Sequence, residues 1–502
     1  MFFSANISKQ KGQSLLWVMG FLATMAVAFA GVYSVGQTTS EKQKIVNAVD
    51  AAAYTGAMVE ARALNLTAYA NRAEIANEVL IAQVISLQSW VDYLKTSISS
   101  FQTIAEVLGK IPFPPTVIAL NAIARALSVI EKALEKAADP GLTGLAPATI
   151  FAVERYYDLM NGALKVVFGT VGTASMAYAA QTAAENVLAA NVATHNGKID
   201  TAPVAIHKIE LAVLNAKAWN SSFQYYKKNQ PAGSADDGRY NASEILKISR
   251  DEFSTDRKGP NGLLAILWGT ASIGGCSIPG VEVGANREGS TLLKTYDRWE
   301  AQDTSEYYIA SGFRCNKTGI PYGWGRSTAA KEKMKGDEKT DINQTAGSEL
   351  FAYKDGNVKK NSGWTGVKEL WDVKRDANDY PDAAFNPGAE TLTFAIAAAK
   401  PKANIRNNES LNFMNQSTTS PLGSADAKAD YQNGQIAAKA EAKVFFARPA
   451  KNSQDFTGTS LFRNDNHKEI ANLYNPYWQV RLTNTSTLTN IATSKLLALF
   501  VQ

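Results

Sequence analysis

The chain has 502 residues, 45% of them hydrophobic, enough for a sizeable core and for two or three domains. Its net charge of +5 comes from 51 basic and 46 acidic residues. The Lys and Arg are scattered singly, without the basic stripe that nucleic-acid binding needs, so nucleic acid is not an expected partner.

The apolar run Leu15 to Val35, LLWVMGFLATMAVAFAGVYSV, lies inside a window free of charge between Lys11 and Glu41. At about 1.5 Å per residue a helix of this length crosses a hydrocarbon core of roughly 30 Å. Lys9 and Lys11 precede it, which favours an N-in, C-out orientation. A cleaved secretory signal is the competing reading, but its apolar core is shorter and ends at a small-x-small site. Here the helical pattern runs on into EKQKIVNAVDAAAY without a breaker, so a retained anchor in contact with membrane lipid is expected. Gly20, Thr24, Ala28 and Gly31 share one face of that helix, where small residues let another helix approach closely.

From Ser40 to Leu108 there is no proline, and good helix formers dominate. Ala48, Ala52, Ala63, Ala70 and Ala73 recur where Leu or Ile would ordinarily stand, a face suited to tight packing on a later helix around Ala174 to Ala190 or on a partner. Asn47, Asp50, Arg62, Asn65, Asn71, Arg72, Asn77 and Glu78 interrupt it. They read equally as a solvated face or as a polar seam that fixes register. IPFPP at 111–115 ends this helix. A second helix is expected over about 116–138, closed by Asp139-Pro140-Gly141. A third runs from Pro147, in its first turn, to about His195, and a fourth spans about 202–219.

Beyond Asn220, Gly, Asn, Asp, Ser and Thr rise and short alternating runs appear. Leu392, Phe394 and Ile396 fall on one side of a strand; Val444 and Phe446 end another; Trp478, Val480 and Leu482 line a third. YKDGN and YQNGQ are turn signals, and 221–260 and 325–348 look loop-rich. The expected fold is a membrane-anchored α+β chain. Residues 1–38 form the cytoplasmic tip and anchor, 39–219 a helical stalk or bundle, and 220–502 a mixed, β-containing extracytoplasmic head.

Motifs for chemistry are scarce. There is no GxxxxGK[ST] loop and no GxSxG elbow, and HKEIA at His467 lacks the second histidine of a zinc-protease helix. Gly169 and Gly172 read as packing glycines. The stretch Asp303-Thr304-Ser305-Glu306-Tyr307 starts like a DxSxS metal motif and departs from it at Tyr307. SADDGRYNASE, 234–244, clusters oxygen ligands but misses the EF-hand spacing, leaving a calcium loop as the lesser reading beside a solvated loop. Tyr307, Tyr308, Tyr322 and Trp324 serve either as core and strand residues or as a sugar-binding surface. No catalytic residue, metal or cofactor is expected. The competing picture of a membrane-tethered hydrolase would rest on scattered carboxylates alone.

The run KGQSLL before an apolar helix, followed by VNAVDAAAYTGAMVEARALNLTAYANRAEIANEVLIAQ, resembles the TadE/TadG-like Flp pilus-assembly proteins. The family's N-A-x-D-A-A-A-h motif is matched here by Asn47, Ala48, Asp50, Ala51, Ala52, Ala53 and Tyr54. The likeness extends through ANRAEIANE, with Asn71, Arg72, Asn77 and Glu78, and through KVFFARP and ANLYNPYWQVRL near the C-terminus. Some relatives carry a von Willebrand A domain with DxSxS, from which Tyr307 departs. Prepilins of such systems are cut after a glycine and keep Glu at the fifth mature position; Gly12 fits the first requirement, while Trp17 stands at the second. The resemblance implies a non-enzymatic component of tight-adherence pilus machinery in the bacterial inner membrane, its C-terminal region periplasmic or exported. Its partners would be pilins, assembly-platform proteins or further copies of itself. The alternative is a surface adhesin or minor pilin at the pilus tip.

Cys276 and Cys315 are the only cysteines, no CxxC pair occurs, and His195, His207 and His467 lie far away in sequence. Outside the cytoplasm one disulfide is expected, closing a loop of roughly 40 residues and contributing about 4 kcal/mol on the chain-entropy model. Two buried free thiols are the competing reading. Intact-mass measurement after alkylation, with and without reductant, should find no free thiol in the unreduced chain; two alkylated cysteines there would refute the bridge.

Overall fold

The computed structural model describes residues 13–108, most of 125–168, 175–192, 215, 219, 223–225, 238–257, 281–294, 296–311, 316–331, 358–373, 392–401, 431–432, 435–446 and 471–483. Cys276, Cys315, Gly12, Gly169, Gly172, the YKDGN turn, Ser234 to Asp237 and His467 lie outside them.

One helix, α1 (Gln13–Leu108), dominates the molecule. Its 96 residues span about 144 Å at 1.5 Å per residue. Absence of proline and scarcity of glycine over this stretch remove the ordinary causes of a break. The N-terminal part is apolar and stands free: Leu15, Leu16, Trp17, Phe21, Leu22, Phe29 and Val32 are all exposed, and the helix there is long and apolar enough to cross a membrane. Burial begins at Ser34 and Ile45 and becomes regular from Ala48 onwards.

Two further helices follow, α2 (Asp139–Val167) and α3 (Ser175–Val192), both packed on α1. Here the structure departs from expectation. Asp139-Pro140-Gly141 opens a helix rather than closing one, since proline in a first turn gives up a donor that has no intrahelical partner. Pro147 sits inside α2, about two turns on. It removes the bond to the Thr143 carbonyl, yet burial of Ala146, Ile150 and Val153 keeps the helix continuous through it. The single helix expected from Pro147 to His195 is two, because α2 ends at Val167 and α3 starts at Ser175. Residues 125 and 127–133, and Asn215 and Trp219, are helical, within the second and fourth expected helices.

The strands fall into three sheets. β1 (Phe223–Tyr225) pairs antiparallel with β6 (Trp371–Val373). β2 (Val281–Lys294), β3 (Arg298–Ser311) and β4 (Asn316–Ala330) form an antiparallel meander, with β5 (Val358–Ser362) parallel to β4. β7 (Thr393–Pro401), β9 (Gln435–Phe446) and β10 (Trp478–Thr483) lie in the order β10-β9-β7, and β8 (Tyr431–Gln432) pairs with β9. The Gln432↔Gln435 register leaves Asn433-Gly434 between the last two strands, as the YQNGQ signal implies. Parts of two segments expected to be loop-rich are regular. α4 (Gly238–Ile248) and α5 (Glu252–Thr255) occupy much of 221–260, and 325–330 belong to β4. Asp251 caps α5 with its carboxylate.

α1 is the spine on which both larger sheets sit. Its lower buried part packs Ile45, Val49, Ala52, Ala53, Ala57 and Leu64 against Ala180, Ala184 and Leu188 of α3 and against Leu392, Phe394, Ile396, Val444 and Trp478. Its upper part packs Ile75, Val79, Ile81, Ala82 and Ile85 against α2, Ala242, Leu246, Trp299, Trp364 and Leu370. Leu482, expected to be inward, is exposed; Trp478 is the residue of β10 that turns into the core. The core therefore joins residues from both sides of position 220.

Close approach is the rule along this spine. A Cβ placed on Gly325 would stand 1.9 Å from the Ser89 carbonyl oxygen, and one on Gly56 would stand 2.3 Å from the Phe394 ring. Ala48 and Ala52 sit in the same kind of contact, fully covered, and of the five expected face alanines only Ala73 is merely half-buried. Replacing Ala52 by Leu adds three heavy atoms where none fits and should cost about 1–3 kcal/mol. A fall in the thermal midpoint of the detergent-solubilised chain is expected; an unchanged midpoint would place the face in solvent.

Candidate functional site

The residues singled out in the sequence lie along α1 in two environments. Gly20, Thr24 and Ala28 are exposed and Gly31 is half-buried; the Thr24 hydroxyl donates to the Gly20 and Phe21 carbonyls of its own helix at 3.0 and 2.8 Å. This face meets no other described part of the chain and stays open for a lipid or a helix. Among the motif residues, Asn47, Ala51, Tyr54 and Arg72 are exposed, Asp50 and Asn77 half-buried, and Ala52, Asn71 and Glu78 buried.

The buried polar residues work as splints between α1 and the strands. Asn65 holds Trp478 from both sides, its Nδ2 donating to the Trp478 carbonyl and its Oδ1 accepting from the Trp478 amide, each at 3.0 Å. Asn71 Nδ2 donates to the carbonyls of Trp371 (2.9 Å) and Leu473 (2.7 Å). One side chain thereby ties α1 to strand β6 and to the segment before β10, positions roughly 300 and 400 residues away. Further up, Thr96 exchanges bonds with both backbone groups of Trp324, and Gln88 accepts from Ser327 (2.6 Å) and Asn361 (2.7 Å). The polar interruptions of the alanine face are thus a seam in part, with Asn65, Asn71 and Glu78 inside it and Asn47, Arg62 and Arg72 facing solvent.

Asp303, the first residue of the DxSxS-like stretch, is buried in β3, where its partner is a cation of the chain itself. Arg257 Nε donates to Asp303 Oδ1 at 2.7 Å, and Ser89 donates to Oδ2 at the same distance. A guanidinium fills the place a metal would take. Trp324 is half-buried on β4, its backbone engaged by Thr96. No group of three or more His, Cys, Asp or Glu with metal-site geometry occurs among the described residues.

Three carboxyls on α1 form a feature that sequence reading missed or only touched. Glu60, Glu74 and Glu78 are separated by roughly four turns and one turn, so they share one inner face. Neither oxygen of Glu60 nor of Glu74 has a hydrogen-bond partner among the described residues. Burial pushes the Glu60 and Glu74 carboxyls up to about 8, with Lys368 partly offsetting the rise at Glu74. Burial also raises Glu78 well above the carboxylate range, although Trp364 Nε1 donates to its Oε2 at 2.8 Å. Trp364 reaches it from a loop flanked by Gly363 (φ 105°) and Gly366 (φ 99°), both in the left-handed region that favours glycine. The available signal was that these acids share a helical face with the alanines.

Beyond the membrane-length segment, α1 also leaves Leu66, Tyr69 and Leu80 exposed, with Ala73 and Ala76 between them at spacings of three and four. That is the pattern of a seam for another helix.

Residues 12–59 match the family described as putative Flp pilus-assembly TadE/G-like. No curated protein and no solved structure matches the chain. The matched stretch holds the apolar end of α1, the Asn47 to Tyr54 motif and the first buried turns; the Asn71 to Glu78 segment and the C-terminal strands lie beyond it. The match associates the chain with Flp pilus assembly, and together with the exposed apolar helix it points to a membrane.

Glu60 makes the titration of this face testable. A carboxyl raised in the folded chain contributes stability that is complete below the ordinary carboxylate pKa, near 4.5, and is lost as pH rises through about 8. Glu60→Gln should therefore flatten the fall in thermal midpoint between pH 5 and 8.5, by up to roughly 4 kcal/mol of linked stability. An unaltered pH profile would show that Glu60 is ionised in the folded chain.

Proposed function

We propose that this chain is a structural component of Flp, or tight-adherence, pilus assembly, working by association rather than catalysis. The apolar end of α1 anchors it once in the bacterial inner membrane, N-terminus in. The remainder stands in the periplasm or travels outward with the pilus. The observation that carries this reading is a coincidence of position: the family match ends within the first buried turns of α1 and covers the whole segment that leaves the core uncovered and apolar. A helix built that way transmits position from a membrane to a folded body, which is an assembly role.

The small-residue face at Gly20, Thr24, Ala28 and Gly31 supports contact with a second helix inside the bilayer, from a pilin, a platform protein or another copy. The Leu66, Tyr69, Leu80 stripe supports a further helical contact outside it.

Protease added to spheroplasts should remove the bulk of the chain and leave a small membrane-bound fragment, and deletion of the gene should abolish pili. Release of the intact chain by carbonate would overturn the anchor. Normal piliation in the deletion strain would overturn the assembly role. Recovery of the chain with sheared filaments would instead assign it to the pilus itself.

A further inference from the structure

Lys368 lies buried between α1, α2 and the loop 363–370, and it is already matched by a charge. Its ammonium donates to Glu154 of α2 and to the Thr365 hydroxyl, while Glu154 also accepts from the Thr365 amide at 2.8 Å. One cation and one carboxylate thus balance where α2 and the loop meet α1. Two more carboxyls of α1 point into the same wedge. Glu78 is fixed by one oxygen to Trp364 of the loop, and its other oxygen has no partner among the described residues. Glu74 has none on either oxygen, although it is 3% exposed. It lines a small pocket with Asn71, Tyr157, Asn161, Glu369 and Trp371. Three of the donors there are engaged elsewhere: the Tyr157 hydroxyl donates to the Glu369 carbonyl, Asn161 to Tyr157, and Asn71 Nδ2 to two backbone carbonyls.

We infer that this wedge is a proton-controlled clasp, which seats α2 and the loop 363–370 on α1 while Glu74 and Glu78 are neutral and loosens when they ionise. With both protonated, the wedge carries the Lys368–Glu154 pair, with Glu369 of the loop beside it. Each ionisation releases one proton to solvent and adds a negative charge to a site closed to water. With both ionised, Glu74 and Glu78 join Glu154 around one ammonium, and desolvation and like-charge repulsion act together.

Every element facing the wedge contributes a named group. α1 brings Glu74 and Glu78; α2 brings Glu154, Tyr156 and Tyr157; the loop brings Trp364, Lys368 and Glu369. Lys368 favours ionisation of both α1 acids and Glu154 opposes it, but burial is the largest influence and raises both carboxyls, that of Glu74 to about 8. Their stabilising contribution is complete at acid pH and is lost as pH climbs through about 8 for Glu74, with the Glu78 carboxyl, raised in the same direction by burial, adding to the loss. The clasp is therefore closed in an acidic or neutral exterior and opens in an alkaline one. This inference stands apart from the pilus reading, since it concerns only contacts within the chain.

The test is hydrogen exchange on the full-length chain in detergent, expressed as protection relative to the intrinsic rate at each pH. Protection over 150–160 and 363–371 should fall by about tenfold or more between pH 6.5 and 9. The double change Glu74→Gln and Glu78→Gln should abolish most of that fall, whereas Glu60→Gln should leave it intact. Flat protection in the unaltered chain, or an unchanged fall in the double variant, would overturn the clasp. Should the double variant fail to fold, Lys368→Met provides the second arm. Removing Lys368, the only cation of the wedge among the described residues, leaves Glu154 to oppose ionisation, so the loss should move to higher pH. A midpoint that stays in place, or moves to lower pH, would also overturn it.

Discussion

The structure depends on how closely α1 approaches the strands laid against it. At Gly325 and Gly323 there is no room for a β-carbon, because the Ser89 carbonyl and the Ser97 hydroxyl already occupy it. Helix and sheet can meet at this distance only if both sides present glycine, alanine or serine. That requirement explains the alanine-rich inner face of α1 and the small residues of β4. It also makes side-chain hydrogen bonds from the helix to strand backbones geometrically available, since Ser, Thr and Asn are short enough to act across the gap.

Such an interface buries little apolar area per residue, so its specificity has another source. Asn65 and Asn71 each satisfy two backbone groups of distant segments, and Thr96 does the same for Trp324. A buried bond of this kind contributes about 0.5–1.5 kcal/mol net, while leaving its partners unsatisfied costs more. The register of the sheets on α1 is thereby set by polar groups while the close-packed small residues set the distance.

Charge is handled in two ways on the same helix. At Ser89 the neighbouring Asp303 is matched by Arg257 and by further donors. At Glu60, Glu74 and Glu78 no such set of donors surrounds the carboxyl, and burial pushes its pKa up. The first arrangement gives a buried charge its partners within the fold, and the second links packing to proton concentration. Both lie beyond the membrane-length segment, in the part of α1 that is packed against the strands.

Period and composition alone determined that a long uninterrupted helix follows an apolar end, because a proline-free stretch of good helix formers leaves the backbone few alternatives. The strands around Phe394, Val444 and Trp478 were legible for the same local reason, a period of two. The family resemblance was carried by the short motif from Asn47 to Tyr54. What only the tertiary structure decided are facts about distance between remote positions. Whether Asn71 faces water or two carbonyls depends on strands some 300 and 400 residues later. Whether Pro147 starts a helix or sits within one depended on the burial of Ile150 and Val153, which outweighs a single lost hydrogen bond. The division of α2 from α3 and the helices within 238–255 were hidden because local propensity there is weak, and packing overrides it. Glu60 and Glu74 look like solvated acids in the sequence; only the surrounding core shows that they are buried and uncharged, since desolvation is a property of the neighbours and not of the residue.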